Sequence, residues 1–277
     1  MGSPHFVELP EEAFVKEALS IVERAREASL TLRLLGSLAV YVHSLDIPAC
    51  LSALRRLGRF SEGAPLFTDL DLAAYSRQRR EIGRLLEGLG FRPAAMVNAL
   101  FGNRRLIYYH PKGAYQVDVF MDKLEFSHDV TLGEQPGNGR LELDYPTISL
   151  ADIVLEKLQI HQTNRKDLVD LAILFLGHDV RKGLERDAID GAYVARVLAD
   201  DWGFWYDAVN NLAKVRALVR ECQGLGKLDE AAAKSIEDRL ERLKALIDEE
   251  PKTKRWMKRA QAGTSKPWYR PVEELVR

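Results

Sequence analysis

The chain predicts an α+β fold: a sheet flanked by helices over residues 1–150, a helical domain over 151–250, and a basic, aromatic tail over 251–277. Three observations carry that expectation. Strand-like runs are confined to the first 150 residues. From about Asp167 onward the pattern is almost entirely helical, a split that places a boundary between about 146 and 166. Finally, 277 residues at 46% hydrophobic supply enough apolar surface for one large domain or two modest ones.

The elements follow in order. From Pro10 to Ala28, apolar Phe14, Ala18, Ile21 and Val22 recur at the spacing of an amphipathic helix. LTLRLLGSLAVYVHS reads as a strand ending at Gly36 and a helix from about Leu38. A short helical piece, CLSALRRLG, and a loop, RFSEGAPLF, lead into the strand TDLDLAAY. SRQRREIGRLLEGLGF is a further helix, stopped near Gly90. RRLIYYH and AYQVDVFM, joined through Pro-Lys-Gly, read as a hairpin. GEQPGNG is a turn and RLELDYPTI another strand. SLADIVLEKLQIH is a helix with Ser149 as its N-cap and Asp152 three positions on. Beyond it come the helices DLVDLAILFLG, DAIDGAYVARVLA, WGFWYDAVNNLAKVRALVREC and LDEAAAKSIEDRLERLKALIDEE.

Forty Lys plus Arg against forty-one Asp plus Glu argue against coating nucleic acid by bulk charge, while leaving room for a local basic face. The tail has eight Lys or Arg against two Glu, interleaved with Trp256, Trp268 and Tyr269. It reads as an arm that docks its aromatics on the body, or as a contact to a phosphate backbone with base stacking. Cys50 and Cys222 stand far apart and read as buried small hydrophobes. The N-terminal stretch has no signal-peptide pattern, and no apolar run reaches the roughly 18 residues of a membrane span. A soluble cytoplasmic protein with no membrane partner is the expectation. His43, His110, His128, His161 and His178 show no H-E-x-x-H spacing, which argues against a zinc hydrolase. Trp202, Trp205 and Tyr206 read as anchors of the helical core.

The chemistry concentrates elsewhere. Asp69 and Asp71 are two apart in a strand-like run, so both carboxylates share one face, about 7 Å apart. Magnesium favours such hard oxygens and is bound through one or two carboxylates plus substrate phosphates. Gly36-Ser37 sits where a strand turns into a helix; glycine permits close backbone approach, and helix-start N–H groups receive phosphate oxygens. Asp118 is flanked by Val117, Val119 and Phe120, so its charge requires a partner or a solvated cleft. The plainer readings are a polar strand face, a glycine turn and a paired carboxylate.

Taken together, these residues resemble the nucleotidyltransferase superfamily that includes polymerase beta and the kanamycin nucleotidyltransferases. The likeness is closer to the AbiEii/AbiGii-type toxins of bacterial toxin–antitoxin systems. It also covers LEKLQIHQTNRKDLVDL, with Glu156, Lys157, Arg165, Lys166, Asp167 and Asp170, and runs from about Leu34 to Leu171. The resemblance implies a nucleotidyltransferase-like mixed sheet and a magnesium-dependent transfer of a nucleoside monophosphate from NTP to an acceptor hydroxyl. Asp69, Asp71 and Asp118 would be the metal and catalytic carboxylates. Gly36, Ser37, Thr68 and Lys157 would hold the nucleotide, and Asp167 would support the cleft. It further implies an RNA target such as the tRNA 3′ end and a cognate antitoxin protein.

Two departures stand out. Ser37 and Asp69 are 32 residues apart, a longer gap than the superfamily's, so 46–67 forms an insertion or elongated connection. Where the toxins carry Ser or Thr two positions before the first aspartate, this chain has Phe67, with Thr68 directly before Asp69. Lys157 and Asp167 would lie about 15 Å apart on one unbroken helix; a break near Asn164 would let both face one cleft, with Asp170 partnering Arg165 or Lys166. Two alternatives remain open: nucleotidyl or phosphoryl transfer to a small molecule or protein, and an inactive binding or regulatory module.

Overall fold

The structure, a computed structural model, describes residues 9–59 and 65–272. These divide into two compact units: a sheet unit from residues 9–42, 65–124 and 131–149, and a helical unit from 43–59, 125–130 and 150–272. One change of unit falls between Ser149 and Leu150. Segments 43–59 and 125–130, expected in the head, belong instead with the helices, as does the described part of the tail.

Helix α1 (Glu11–Glu27) is followed by strand β1 (Leu32–Leu34) and helix α2 (Gly36–Ser44). After α3 (Pro48–Arg56) come β2 (Asp69–Ala74), α4 (Arg79–Gly88), β3 (Arg92–Pro93) and α5 (Ala95–Phe101). Then follow β4 (Arg105–Tyr109) and β5 (Gln116–Met121), the hairpin expected from the Pro-Lys-Gly connection. The sheet is open and mixed, in the order β1-β2-β5-β4-β3, and only the β2–β5 pair is parallel. A short ribbon, β6 (Lys123–Glu125) with β7 (Asp129–Thr131), follows it.

Strand alternation decides what each face of this sheet presents. Leu70, Leu72, Leu106, Tyr108, Val117 and Val119 point to one side and pack with Phe14, Ile21 and Val22 of α1 and Ile82 and Leu86 of α4. The opposite side receives Asp69, Asp71, Gln116, Asp118 and Arg105, because register pairs Asp69 with Gln116 and Asp71 with Asp118. A one-residue slip would bury all of them in the core, so the apolar face fixes the polar one.

Residues 140–148, expected as a strand, form turns with only an isolated Leu34–Thr147 bridge. The backbone there is engaged otherwise: Tyr75 Oη accepts from the Leu141 N–H at 3.0 Å and donates to the Glu142 carboxylate at 2.6 Å. Pro146, lacking an N–H, offers β1 only its carbonyl, which accepts from the Leu34 N–H.

In the helical unit, α6 (Leu150–Leu158) is buried all round and α7 (Arg165–Gly177) follows after a break. The Asn164 side chain ends that break by capping the Asp167 N–H at 3.0 Å. Next come β8 (Asp179–Arg181), β9 (Ala188–Asp190), α8 (Gly191–Asp200), α9 (Trp202–Gly224), α10 (Glu230–Glu249) and α11 (Lys254–Ala260). The parallel β8–β9 pair corrects the expectation that strands stop at residue 150, and β9 occupies the start of a stretch expected to be helical. Asp190, Asp201, Asp229 and Thr253 cap the four helices that follow them. Cys50 and Cys222 are buried, as expected. Among the described residues, no helix is long and apolar enough to cross a membrane.

Candidate functional site

The polar strip on the sheet unit gathers most of the sequence-selected residues. Gly36 opens α2 with φ +68, and a Cβ added there would lie 2.9 Å from Asp71 Oδ2. The backbone bends tightly against a carboxylate where a side chain would intrude, and left-handed φ is the conformation glycine adopts at low cost. The adjoining Leu35 N–H donates to the Asp71 carbonyl at 3.1 Å, fixing the bend to β2. Ser37 lies in the first turn of α2. Asp69 and Asp71 are both half-buried on one face of β2, and Thr68 Oγ1 donates to Asp69 Oδ1 at 2.7 Å. Thr68 thus works on its neighbouring carboxylate.

Asp118 stands opposite Asp71, and both its oxygens are engaged by neighbouring side chains. It is 3% exposed, with Arg105 Nε donating to Oδ1 at 2.9 Å, an Arg105 terminal nitrogen 2.9 Å from Oδ2, and Gln116 Nε2 donating to Oδ2 at 2.8 Å. Directly opposed like charges repel across a strand pair. A two-pronged guanidinium offsets that repulsion where the apolar neighbours of Asp118 exclude water. Arg105 also lies over the Phe120 ring. Among the described residues, no three His, Cys, Asp or Glu side chains are placed to hold a metal ion. Asp69 and Asp71 lie on one face of β2, across the strand pair from Gln116 and Asp118.

The second group lies in the helical unit. Lys157, on buried α6 and 7% exposed, has its Nζ 3.1 Å from Asp167 Oδ1, 3.3 Å from Asp170 Oδ2 and 3.4 Å from Glu156 Oε1. Burial opposes its charge, yet the three carboxylates outweigh that and hold its pKa well above the ordinary lysine value. The break at Asn164 does bring Lys157 and Asp167 together. Asp170, anticipated as a partner of Arg165 or Lys166, receives Arg59 Nε at 2.5 Å and a second guanidinium nitrogen at 3.1 Å. Arg165 turns instead to Glu221.

Sequence reasoning missed Arg59, Arg105 and Gln116. Parity offered the signal for Arg105 and Gln116, since hairpin register places both on the face of Asp118. Arg59 had no local signal, because its partner is 111 residues away. The histidines expected to contribute little are organised as well. His110 is buried against Glu17 at 3.1 Å. Asp207 gathers His128 Nε2 at 2.8 Å, His161 Nδ1 at 2.9 Å and the Trp268 indole N–H at 3.1 Å.

Comparison of the chain with protein-family models, curated proteins and solved structures finds no match.

Proposed function

We propose that the sheet unit binds a nucleoside triphosphate with magnesium and transfers its nucleoside monophosphate to an acceptor hydroxyl. One observation carries this reading: the glycine bend opening α2 lies against Asp71, beside a second carboxylate on the same strand face. Such a bend leaves room for phosphate oxygens, with Ser37 and the first N–H groups of the nine-residue α2 as donors. Asp69 and Asp71 would hold magnesium, which when bound would offset charge on the polyphosphate. Thr68 orients Asp69. In this reading Asp118 takes no proton, since both its oxygens already accept hydrogen bonds; it fixes Arg105 beside the carboxylate pair. The acceptor oxygen bonds to the α-phosphorus as its proton passes to water, the bond to the bridging oxygen breaks, and pyrophosphate departs. The resemblance of the motifs favours an RNA hydroxyl such as the tRNA 3′ end as acceptor, and an antitoxin protein as regulator.

The engagement of Asp118 favours a second reading, a nucleotide-binding module without catalysis. Incorporation of each α-labelled NTP into total RNA and protein, with and without magnesium, separates the two. Magnesium-dependent incorporation that Asp69→Asn abolishes while the circular dichroism spectrum is kept supports transfer. Undiminished incorporation by that folded variant rejects the assignment of Asp69. NTP binding by the native chain with no incorporation favours the module.

A further inference from the structure

Among the described residues of the sheet unit, one α-helix has no buried side chain. Helix α5 has seven residues, none buried, and exposes Met96, Leu100 and Phe101 by 79%, 71% and 50%. A helix this short has little stability in water by itself. It is held by its polar residue: the Asn98 amide donates to the Ile107 carbonyl at 2.9 Å and accepts from the Ile107 N–H at 2.7 Å. Those bonds fall where β3 stops pairing with β4: the Ile107 carbonyl still accepts from the Ala94 N–H at 2.9 Å, while the amide takes up the Ile107 N–H. Clustered exposed apolar residues beside a sheet edge mark a protein-binding surface.

The stretch of sequence that contains α5 is one-sided in charge. From Gly88 to Val117 the chain carries Arg92, Arg104, Arg105 and Lys112 and no Asp or Glu. Arg92, Arg104 and Lys112 are exposed, and Arg79 also reaches this end, donating to Asn103. We infer that α5 and its cationic rim dock an amphipathic acidic helix of a different protein, with apolar residues on Met96, Leu100 and Phe101 and carboxylates on the arginines. A second copy of the chain fits poorly, because a two-fold contact would set the same cations against each other. RNA would use the rim but leave the aliphatic side chains without partners. The inference is independent of the proposed chemistry and of Asp69 and Asp71.

The test uses the full chain and a fluorescein-labelled helical peptide with leucine on one face and glutamate on the other. Its counterparts are the same peptide with lysine for glutamate and a labelled single-stranded RNA, all read by fluorescence anisotropy. The acidic peptide is expected to bind best, and added salt to weaken it. Leu100→Asp and the pair Arg92→Glu with Arg104→Glu are each expected to weaken it roughly tenfold, with circular dichroism unchanged. Equal or tighter binding of the lysine peptide or the RNA overturns the proposal. So does acidic-peptide binding that Leu100→Asp leaves intact. A dimer, seen by light scattering, that Leu100→Asp dissociates assigns the face to self-association and also overturns it.

Discussion

Arg105 and Gly36 set the electrostatics and the space around Asp71. With Asp71 and Asp118 directly opposed, removing the guanidinium leaves two carboxylates facing each other, one of them buried. Arg105→Ala is therefore expected to lower stability by about 2 kcal/mol, less than the roughly 3–5 for breaking a fully buried pair because Arg105 is partly exposed. Asp118→Asn keeps acceptor capacity and relieves the repulsion, so its cost should be smaller. Urea unfolding of the two variants checks that order, and equal losses would contradict it. At Gly36 an alanine meets both a left-handed backbone and the Asp71 oxygen. Gly36→Ala should cost about 1–2 kcal/mol and, on the proposed function, weaken NTP binding more than it weakens the fold. Calorimetric titration with NTP and magnesium decides this, and unchanged affinity would show that the close approach is unused. Asp69 and Asp71 were legible as one face because alternation along β2 assigns them to the same side, and Asp118 joins them through the β2–β5 register. That Asp118 is occupied was not, since Arg105 reaches it through a register that only the assembled hairpin defines.

Among the elements, α6 and α7 form a charged cluster inside the helical unit. Three carboxylates share Lys157 and Arg59, so loss of either cation leaves buried negative charge. Arg59→Ala should destabilise by about 3 kcal/mol, and Lys157→Met by a similar amount. Because the Lys157 pKa is raised on folding, its contribution is fully present below the unfolded lysine value near 10.4. It is lost only as pH rises through the higher folded value. The Lys157→Met deficit should therefore be constant across the neutral range in urea titrations followed by circular dichroism. A deficit that vanishes between mildly acid and neutral pH would refute the ion-pair account. The break between these helices could be read from HQTNRK, since asparagine favours an N-cap. The β8–β9 pair could not: three-residue strands carry too little alternation to register, and pairing partners supply their order. The mistaken strand at 140–148 had suitable residue types, but the Tyr75 hydroxyl captured its backbone from 66 residues away. Helix α5 escaped notice for a related reason, having no apolar stripe turned toward a core.

At the scale of the molecule, the division near residue 150 follows from periodicity, whereas the return of 43–59 to the helical unit follows from long-range pairing such as Arg59 with Asp170. The tail's aromatics do dock, as one sequence reading anticipated. Trp256 meets Trp205 edge-on, Trp268 meets Tyr206, and Tyr269 stacks on His161 at 3.6 Å. Trp268 also serves Asp207, which is 2% exposed. Burial opposes that carboxylate's charge, but the donors His128, His161 and Trp268 outweigh it and hold its pKa below the usual value. A depressed carboxylate contributes stability above its unfolded pKa of about 3.9, and loses it as pH falls through the folded value. Asp207→Asn should therefore cost about 1–3 kcal/mol near pH 7, and the difference from the native chain should shrink at about pH 3. Parallel urea titrations measure both, and a gap that widens in acid would be the wrong sign.

The Asp207 arrangement also imposes an order on synthesis. The indole that completes the carboxylate's set of donors lies 61 residues further along the chain than the helix presenting it. While the polypeptide is still being made, α9 can coil, but one of its inward-facing charges waits for a partner not yet translated. The helical unit is thus expected to settle late, and an interrupted translation product to expose an acidic defect that quality control can recognise.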